Sequence, residues 1–90
     1  MGRERELMAA EVVLYTRPGC HLCEEARDAL LALRARGPRF QLREVDIEGD
    51  AHLHSAYMER IPVVEVGGEV VSELTLDARA VRARLDTVAA

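Results

Sequence analysis

The chain is poor in the residues that nucleic-acid-binding and membrane proteins need. Its 90 residues include no tryptophan, two tyrosines and one phenylalanine, and 16 acidic residues outnumber 12 basic ones to give a net charge of −4. Because a phosphate backbone is bound by a basic face, and no basic stripe with interleaved aromatics is present, we expect no nucleic-acid partner. No run approaches the roughly 18 consecutive apolar residues of a membrane-spanning helix, so we expect no membrane partner either.

The first residues are charged, and they lack the apolar segment of a secretory signal. We therefore expect a cytoplasmic protein. We expect residues 1–8 to form a disordered extension and residues 9–90 to fold as a single domain, because a chain of this length can bury one core but not two. We also expect a monomer.

Cysteine is scarce as well, and two residues can form at most one internal disulfide. They lie close together in Cys20-His21-Leu22-Cys23, after an apolar run and a Pro18-Gly19 turn, where a helical pattern begins. A thiol at the start of a helix faces unpaired backbone N–H groups and the positive end of the helix dipole, which favour its thiolate. The second thiol is one turn away, close enough to resolve a mixed disulfide. Taken alone, the pair is compatible with redox, metal-binding and structural roles.

A zinc site would need more ligands than two cysteines, and His52 and His54 are the candidates. Residues two apart on a helix point to different faces, and no second Cys-x-x-Cys motif is present. We therefore expect no intrinsic metal and interpret both histidines as surface residues.

Hydrophobic periodicity predicts an alternation of strands and helices without repeats. Apolar residues are consecutive in the first strand, alternate with polar residues in the second, and recur every three or four residues in the helices. Gly67-Gly68 predicts a two-residue hairpin turn, and Asp50 and Asp77 are predicted helix N-caps. The predicted elements are strand β1 at 11–16, a helix at 20–36, β2 at 40–47, a short helix at 50–58, β3 from 62 to 66, β4 at 69–72 and a helix from 77.

This β-α-β-α-β-β-α order predicts an α/β fold. Two strands joined through a helix run parallel, with a right-handed crossover, so β1 and β2 should be parallel. The hairpin adds antiparallel strands. We expect a four-stranded mixed sheet in the order β2-β1-β3-β4 with helices on both faces, which places the cysteine pair at the C-terminal end of β1.

Three segments together resemble the glutaredoxin-like branch of the thioredoxin superfamily, over about residues 11–88. They are Leu14-Tyr15-Thr16-Arg17-Pro18-Gly19-Cys20-His21-Leu22-Cys23, then Arg60-Ile61-Pro62-Val63-Val64, and Gly67-Gly68 at the hairpin. The resemblance implies a thioredoxin/glutaredoxin-like fold and a thiol-disulfide oxidoreductase. It makes Cys20 the exposed nucleophile and Cys23 the buried resolving thiol, which together form a redox-active disulfide.

The resemblance also implies which residues bind the substrate. Pro62 corresponds to the family's cis-proline, and it leaves the backbone of Ile61 free to pair with an extended substrate as an added strand. Arg17 stands where glutaredoxins often carry a lysine that stabilises the thiolate. Arg60 replaces the threonine of the family's Thr-Val-Pro and adds a second positive group. His21, when protonated, would favour the thiolate.

The substrate has two alternatives on this interpretation. Glutathione-using members have a Gly-Cys-Asp-Asp-like segment after the hairpin, where this chain reads Ser72-Glu73-Leu74-Thr75, and Glu24 and Glu25 add negative charge near the site. A protein disulfide, with a separate recycling reductase, is therefore at least as good a candidate as a glutathione mixed disulfide. No built-in cofactor is expected. The alternatives to an enzyme are a non-catalytic partner-binding module, or an iron-sulfur module that uses Cys20 as a ligand across a dimer.

Overall fold

A computed structural model describes residues 10–89 of the protein, so the extension expected at residues 1–8 lies outside the described residues. The elements follow the predicted order. They are strand β1 (Ala10–Thr16), helix α1 (His21–Ala35), strand β2 (Phe40–Asp46), a 3-10 helix (Ile47–Gly49), helix α2 (Ala51–Tyr57), strands β3 (Val63–Val66) and β4 (Glu69–Glu73), and helix α3 (Ala78–Ala89). Within this part of the chain, the helices are too short or too polar to cross a membrane.

The four strands form one mixed sheet in the predicted order β2-β1-β3-β4. β1 is parallel to β2, whereas the β1–β3 and β3–β4 pairs are antiparallel. β1 is central, and its side chains from Val12 to Tyr15 are buried on both faces of the sheet. This explains its continuous apolar sequence, since a strand covered on both faces has no exposed side to make polar.

Helices cover both faces of the sheet, as predicted, and the buried residues form two clusters. The larger cluster lies between the sheet and the helices α1 and α3, and it includes Leu14 and Leu30. The smaller cluster lies on the opposite face, which α2 covers through Leu53 and Tyr57. Cys23 belongs to the smaller cluster, so the cysteine pair packs on the face that carries α2, the shortest α-helix within residues 10–89.

The connection from β2 to α2 differs from the prediction at Ile47. The alternating pattern placed this residue in β2, but it begins the 3-10 helix, where it is fully buried. The chain leaves the strand there because the Asp46 carboxylate accepts a hydrogen bond from the Glu48 amide, 2.8 Å away, and caps the turn. Asp50 caps α2 in the same way, as predicted, by accepting from two amides of the first turn.

Helix α2 contacts the sheet along one narrow row of residues. Leu53 and Tyr57, four residues apart, pack against the smaller cluster. Ala56 is apolar and three residues from Leu53, but it is exposed. A helix of two turns touches a flat sheet mainly along one row of residues four apart, and Ala56 lies beside that row.

A two-residue turn joins β3 to β4. Both of its glycines have positive φ angles, 59° at Gly67 and 83° at Gly68. The Gly-Gly sequence predicts this conformation for a hairpin, because residues with a side chain rarely adopt two successive positive φ angles.

A β-bulge in β4 shifts its register against β3 by one residue. Val64 pairs with Ser72 rather than with Val71, so Glu73 lies opposite Val63. Because paired residues share a face of the sheet, the bulge places Glu73 on the face that carries α2 and the cysteine pair.

Leu30 and Leu31 are adjacent in α1 but differ in burial, which makes them a matched pair. Leu30 is fully buried in the larger cluster, whereas Leu31 is 39% exposed. We expect Leu30→Ala to lower the free energy of unfolding by about 2–5 kcal/mol, through lost burial and the cavity that remains. Leu31→Ala should cost less than about 1 kcal/mol. Urea denaturation measures both, and equal losses would contradict the orientation of α1.

Candidate active site

The cysteine pair lies where β1 ends and α1 begins. Cys20 is the N-cap residue of α1, and its Sγ accepts a hydrogen bond from the Cys23 amide at 3.1 Å. The two residues form a disulfide, with their Cα atoms 5.2 Å apart. Cys20 is partly exposed, whereas Cys23 is only 2% exposed. An incoming thiol or disulfide therefore reaches the Cys20 sulfur first.

The hydrogen bond at Cys20 has a chemical consequence once the disulfide is reduced. A thiolate at an N-cap accepts from the same first-turn amides and is stabilised by the positive end of the helix dipole. Since Cys20 stands at this position and Cys23 one turn inside the helix, thiolate stabilisation applies to the exposed sulfur. The exposed residue is the better nucleophile and the buried one is placed to resolve.

A groove of about 250 Å³ opens beside the disulfide, between the ends of β1 and β2 and the first turns of α1. Both cysteines line it. Its charged residues are three carboxylates and two guanidinium groups, from Glu24, Glu44, Asp46, Arg17 and Arg27. The walls of the groove therefore carry a small excess of negative charge.

Arg17 lies close to Cys20, as the resemblance implies. Its carbonyl accepts a hydrogen bond from the Cys20 amide at 3.3 Å, and its side chain is exposed on the wall of the groove. Among the residues that the structure describes, no carboxylate forms an ion pair with its guanidinium. Its positive charge is thus available to the groove.

The Ile61-Pro62 segment lies beside the cysteine pair. Its peptide bond is cis, as the resemblance implies, and both side chains are buried. Ile61 belongs to the same cluster as Cys23. The segment that is expected to dock a substrate backbone is therefore in place.

The expectation that the whole backbone of Ile61 is free is wrong for its N–H group. This amide donates to the Tyr57 carbonyl at 3.0 Å, because the end of α2 turns directly into the segment. The carbonyls of Arg60 and Pro62 both accept from the Leu74 amide at 3.0 Å, on the β4 side. No donor within residues 10–89 is hydrogen-bonded to the Ile61 carbonyl.

Arg60 is not an independent positive group. Its Nη2 donates to the Glu73 carboxylate in an ion pair, and its guanidinium carbon lies 5.2 Å from the centre of the Tyr57 ring. The hydrogen bond lowers the pKa of the Glu73 carboxyl and raises the pKa of Arg60. Both side chains are partly exposed, 44% for Arg60 and 37% for Glu73.

Glu73 was not predicted as a site residue. The sequence showed it only as a departure from the pattern of glutathione-using members. A regular hairpin register, extended from the Gly67-Gly68 turn, would pair Glu73 with Pro62. Only the bulge places Glu73 opposite Val63. The charge complementarity between Glu73 and Arg60 was the one available signal.

His21 follows Cys20 as the first residue of α1, and its side chain is exposed. Its side chain is 84% exposed, and Nε2 lies 3.2 Å from the Glu25 carboxylate on the next turn. His21 does not line the groove beside the disulfide. His52 and His54 lie on α2, and in the part of the chain that is described no three His, Cys, Asp or Glu side chains are grouped as a metal site requires.

Tyr15 and Tyr57 pack with Cys23 in the smaller cluster. The rings of Tyr15 and Tyr57 are 4.9 Å apart between centroids, and the Tyr57 hydroxyl donates to Glu65 at 3.5 Å. Burial, and then the Glu65 charge, raises the pKa of Tyr15 to about 12. The same two causes raise the pKa of Tyr57.

The fold and the site together define a class of protein. An open four-stranded sheet, a cysteine pair at the start of a helix and a cis-proline before β3 characterise a thioredoxin-fold protein with a thiol-redox role. The chain belongs to the glutaredoxin-like family, since the model of the "Glutaredoxin-like domain (DUF836)" matches residues 11–86. This confirms the resemblance that the sequence motifs indicated.

Solved structures agree with this assignment. Protein Ne2328 from Nitrosomonas europaea, solved by NMR, is 32% identical with a TM-score of 0.75, and the match covers 83% of this chain and 89% of that one. A structural genomics target protein from X. campestris is 40% identical with a TM-score of 0.63, over 84% and 96% of the two chains. A mutant thioredoxin from Halobacterium salinarum NRC-1 shares the fold, at 19% identity, a TM-score of 0.65 and coverage of 94% and 79%. No curated protein matches significantly.

The raised pKa of Tyr15 predicts a loss of stability at high pH. Because the folded protein disfavours the phenolate, this contribution is present below the ordinary pKa of 10.0 and is lost as the pH rises toward 12. We expect Tyr15→Phe to remove about 2 kcal/mol of the decline in unfolding free energy between pH 8 and about 11.5. Denaturation curves at pH 8 to about 11.5 measure it. Identical slopes for wild type and variant would contradict the assignment.

Arg17 is predicted to increase the thiolate fraction of Cys20. In a Cys23→Ser background, where Cys20 is the sole thiol, Arg17→Gln should slow alkylation by iodoacetamide near neutral pH by about 1.5- to 5-fold, the range expected for an exposed charge pair. Arg39→Gln is the matched control, because Arg39 is exposed and lies just before β2, whose first residue pairs with the opposite end of β1. Equal rates in the two variants would show that Arg17 has no specific effect.

Proposed function

We propose that the protein is a thiol-disulfide oxidoreductase that reduces disulfides of proteins through its own dithiol. One observation carries the proposal: Cys20 is partly exposed and its Sγ accepts a hydrogen bond at the start of α1, while Cys23 is buried one turn away. This asymmetry favours attack by one sulfur and resolution by the other. An inert structural disulfide would not require it.

The reaction follows from this arrangement. The Cys20 thiolate attacks one sulfur of the substrate disulfide, forms a mixed disulfide and releases the first substrate thiolate, which takes up a proton. Cys23, after losing its proton, attacks the Cys20 sulfur and releases the second substrate thiol. Two electrons pass to the substrate, and the Cys20–Cys23 disulfide that remains is the form described here. A separate thiol reductant restores the dithiol.

The shape of the site favours an extended protein segment as the substrate. The Ile61 carbonyl, beside the cysteines, offers one acceptor for a backbone N–H. Arg60, one of the cations at the site that could bind a carboxylate of glutathione, is already paired with Glu73. Glutathione mixed disulfides are therefore the secondary candidate. The proposed setting is a reducing compartment such as the cytoplasm, with a reductase as recycling partner and the protein acting as a monomer.

Catalysed reduction of insulin by dithiothreitol tests the proposal. The wild-type protein should accelerate precipitation of the insulin B chain, and Cys20→Ser should abolish the acceleration. Pre-reduced Cys23→Ser, mixed with insulin after dithiothreitol has been removed, should instead accumulate a mixed disulfide with the substrate, detectable by non-reducing electrophoresis and mass spectrometry. Absence of acceleration by folded, reduced wild-type protein would overturn the proposal, and so would trapping through Cys23 in the Cys20→Ser variant.

A further inference from the structure

We propose that Glu73 sets the charge preference of the site: by occupying Arg60 beside the docking segment, it selects against substrates that carry carboxylates next to their disulfide. Disulfides flanked by neutral or basic residues are preferred. The inference rests on the proposed function, because it names the substrate class for the same dithiol. Glu73 acts through Arg60 and is a specificity residue rather than a catalytic one.

The geometry places the ion pair at the edge of the substrate path. Arg60 immediately precedes Ile61, and its carbonyl is bonded to the Leu74 amide. Glu73 is the last residue of β4 and lies opposite Val63. The ion pair is therefore next to Ile61 along the chain, on the face of the sheet that carries Cys23 and Ile61.

The Arg60 guanidinium is held by two contacts at once. It is paired with Glu73, and it lies over the ring of Tyr57. Because Arg60 lowers the pKa of Glu73, the carboxylate stays ionised at neutral pH and the pair remains intact. A substrate passing this edge meets a neutral pair rather than an isolated cation.

The groove next to Cys20 also disfavours a substrate carboxylate. It is lined by three carboxylates and two guanidinium groups. A substrate carboxylate would meet net negative charge there, and at Arg60 it would have to displace Glu73. Displacement leaves Glu73 without its partner and close to a second anion, so the exchange is unfavourable. A lysine or arginine in the substrate meets no such opposition.

A pair of peptide disulfides provides the test. Two fluorescence-quenched disulfide peptides differ only in the residues on both sides of the disulfide-bonded cysteine. These residues are glutamate in one peptide and lysine in the other. The reduced protein is assayed with each peptide, and kcat/KM is measured. Wild type should prefer the lysine peptide. Glu73→Gln should raise kcat/KM for the glutamate peptide by about three- to fivefold, mainly through KM. The gain should shrink in about 1 M salt, where charges are screened within roughly 3 Å.

Two further variants isolate the effect of the pair. Glu69→Gln removes the same charge from the same strand, but Glu69 pairs with Arg84, 3.1 Å away, at the other end of β4. This control should leave the preference unchanged. Adding Arg60→Gln to Glu73→Gln should cancel the gain, because the released cation is then absent. Arg60→Gln alone should lower kcat/KM for the glutamate peptide below the wild-type value.

The outcomes separate this inference from the proposed function. If wild type reduces insulin but Glu73→Gln keeps the wild-type preference, the inference is overturned and the proposed function stands. An equal gain in Glu73→Gln and Glu69→Gln would also overturn it, since net charge alone would explain the change. If wild type reduces neither insulin nor the peptides, the proposed function itself fails. Circular dichroism confirms that each variant is folded.

Discussion

The hydrogen bond from the Cys23 amide to the Cys20 sulfur connects the fold to its chemistry. It exists because β1 ends at Thr16 and the chain then turns at Gly19, with a φ angle of 77°, into the first turn of α1. The same contact that caps the helix favours the thiolate after reduction. Any change that moves the start of α1 relative to β1 would therefore alter the reactivity of Cys20 as well as the stability of the helix.

The larger part of the core and the site residues lie on opposite faces of the sheet. The larger cluster packs both long helices against β1 and β3, and it contains none of the site residues. The smaller cluster contains Cys23 and Ile61 and is covered by a helix of seven residues. Because the cysteine and the docking segment pack against the same few side chains, their separation is set directly by this cluster. The larger core supplies a rigid sheet on which that small assembly is built.

The sequence predicted the architecture because its signals were local and mutually consistent. The apolar β1, the Gly-Gly turn and the cap at Asp50 each act over a few residues, and together they leave few possible topologies. The cysteine pair and Pro62 were found in the same way, by position within elements. What the sequence could not predict depends on contacts between elements, such as the hydrogen bond from the Ile61 amide to the end of α2.

Glu73 is the clearest case of information that is absent from local sequence. A one-residue bulge decides which face of the sheet its carboxylate joins, and no glycine or proline marks the bulge. The ion pairing of Arg17 and Arg60 also could not be predicted from the local sequence. They are the same residue type at comparable distances along the chain from site residues, yet only Arg60 has a carboxylate partner among the described residues. Their charges therefore act differently on a substrate.

The loop after β4 explains how an exposed ion pair can influence specificity. Such pairs are usually weak, because ordering two mobile side chains offsets the attraction. Here the backbone of Glu73 is fixed on both sides: the Ser72 hydroxyl accepts from the Asp77 amide at 2.9 Å, and the Leu74 amide is bonded to the Arg60 carbonyl. Leu74 even adopts a left-handed φ of 66°, a conformation that costs a residue with a side chain about 1–2 kcal/mol. Since this ordering is complete before a substrate arrives, Glu73 competes for Arg60 at a high effective concentration that a dissolved carboxylate does not reach.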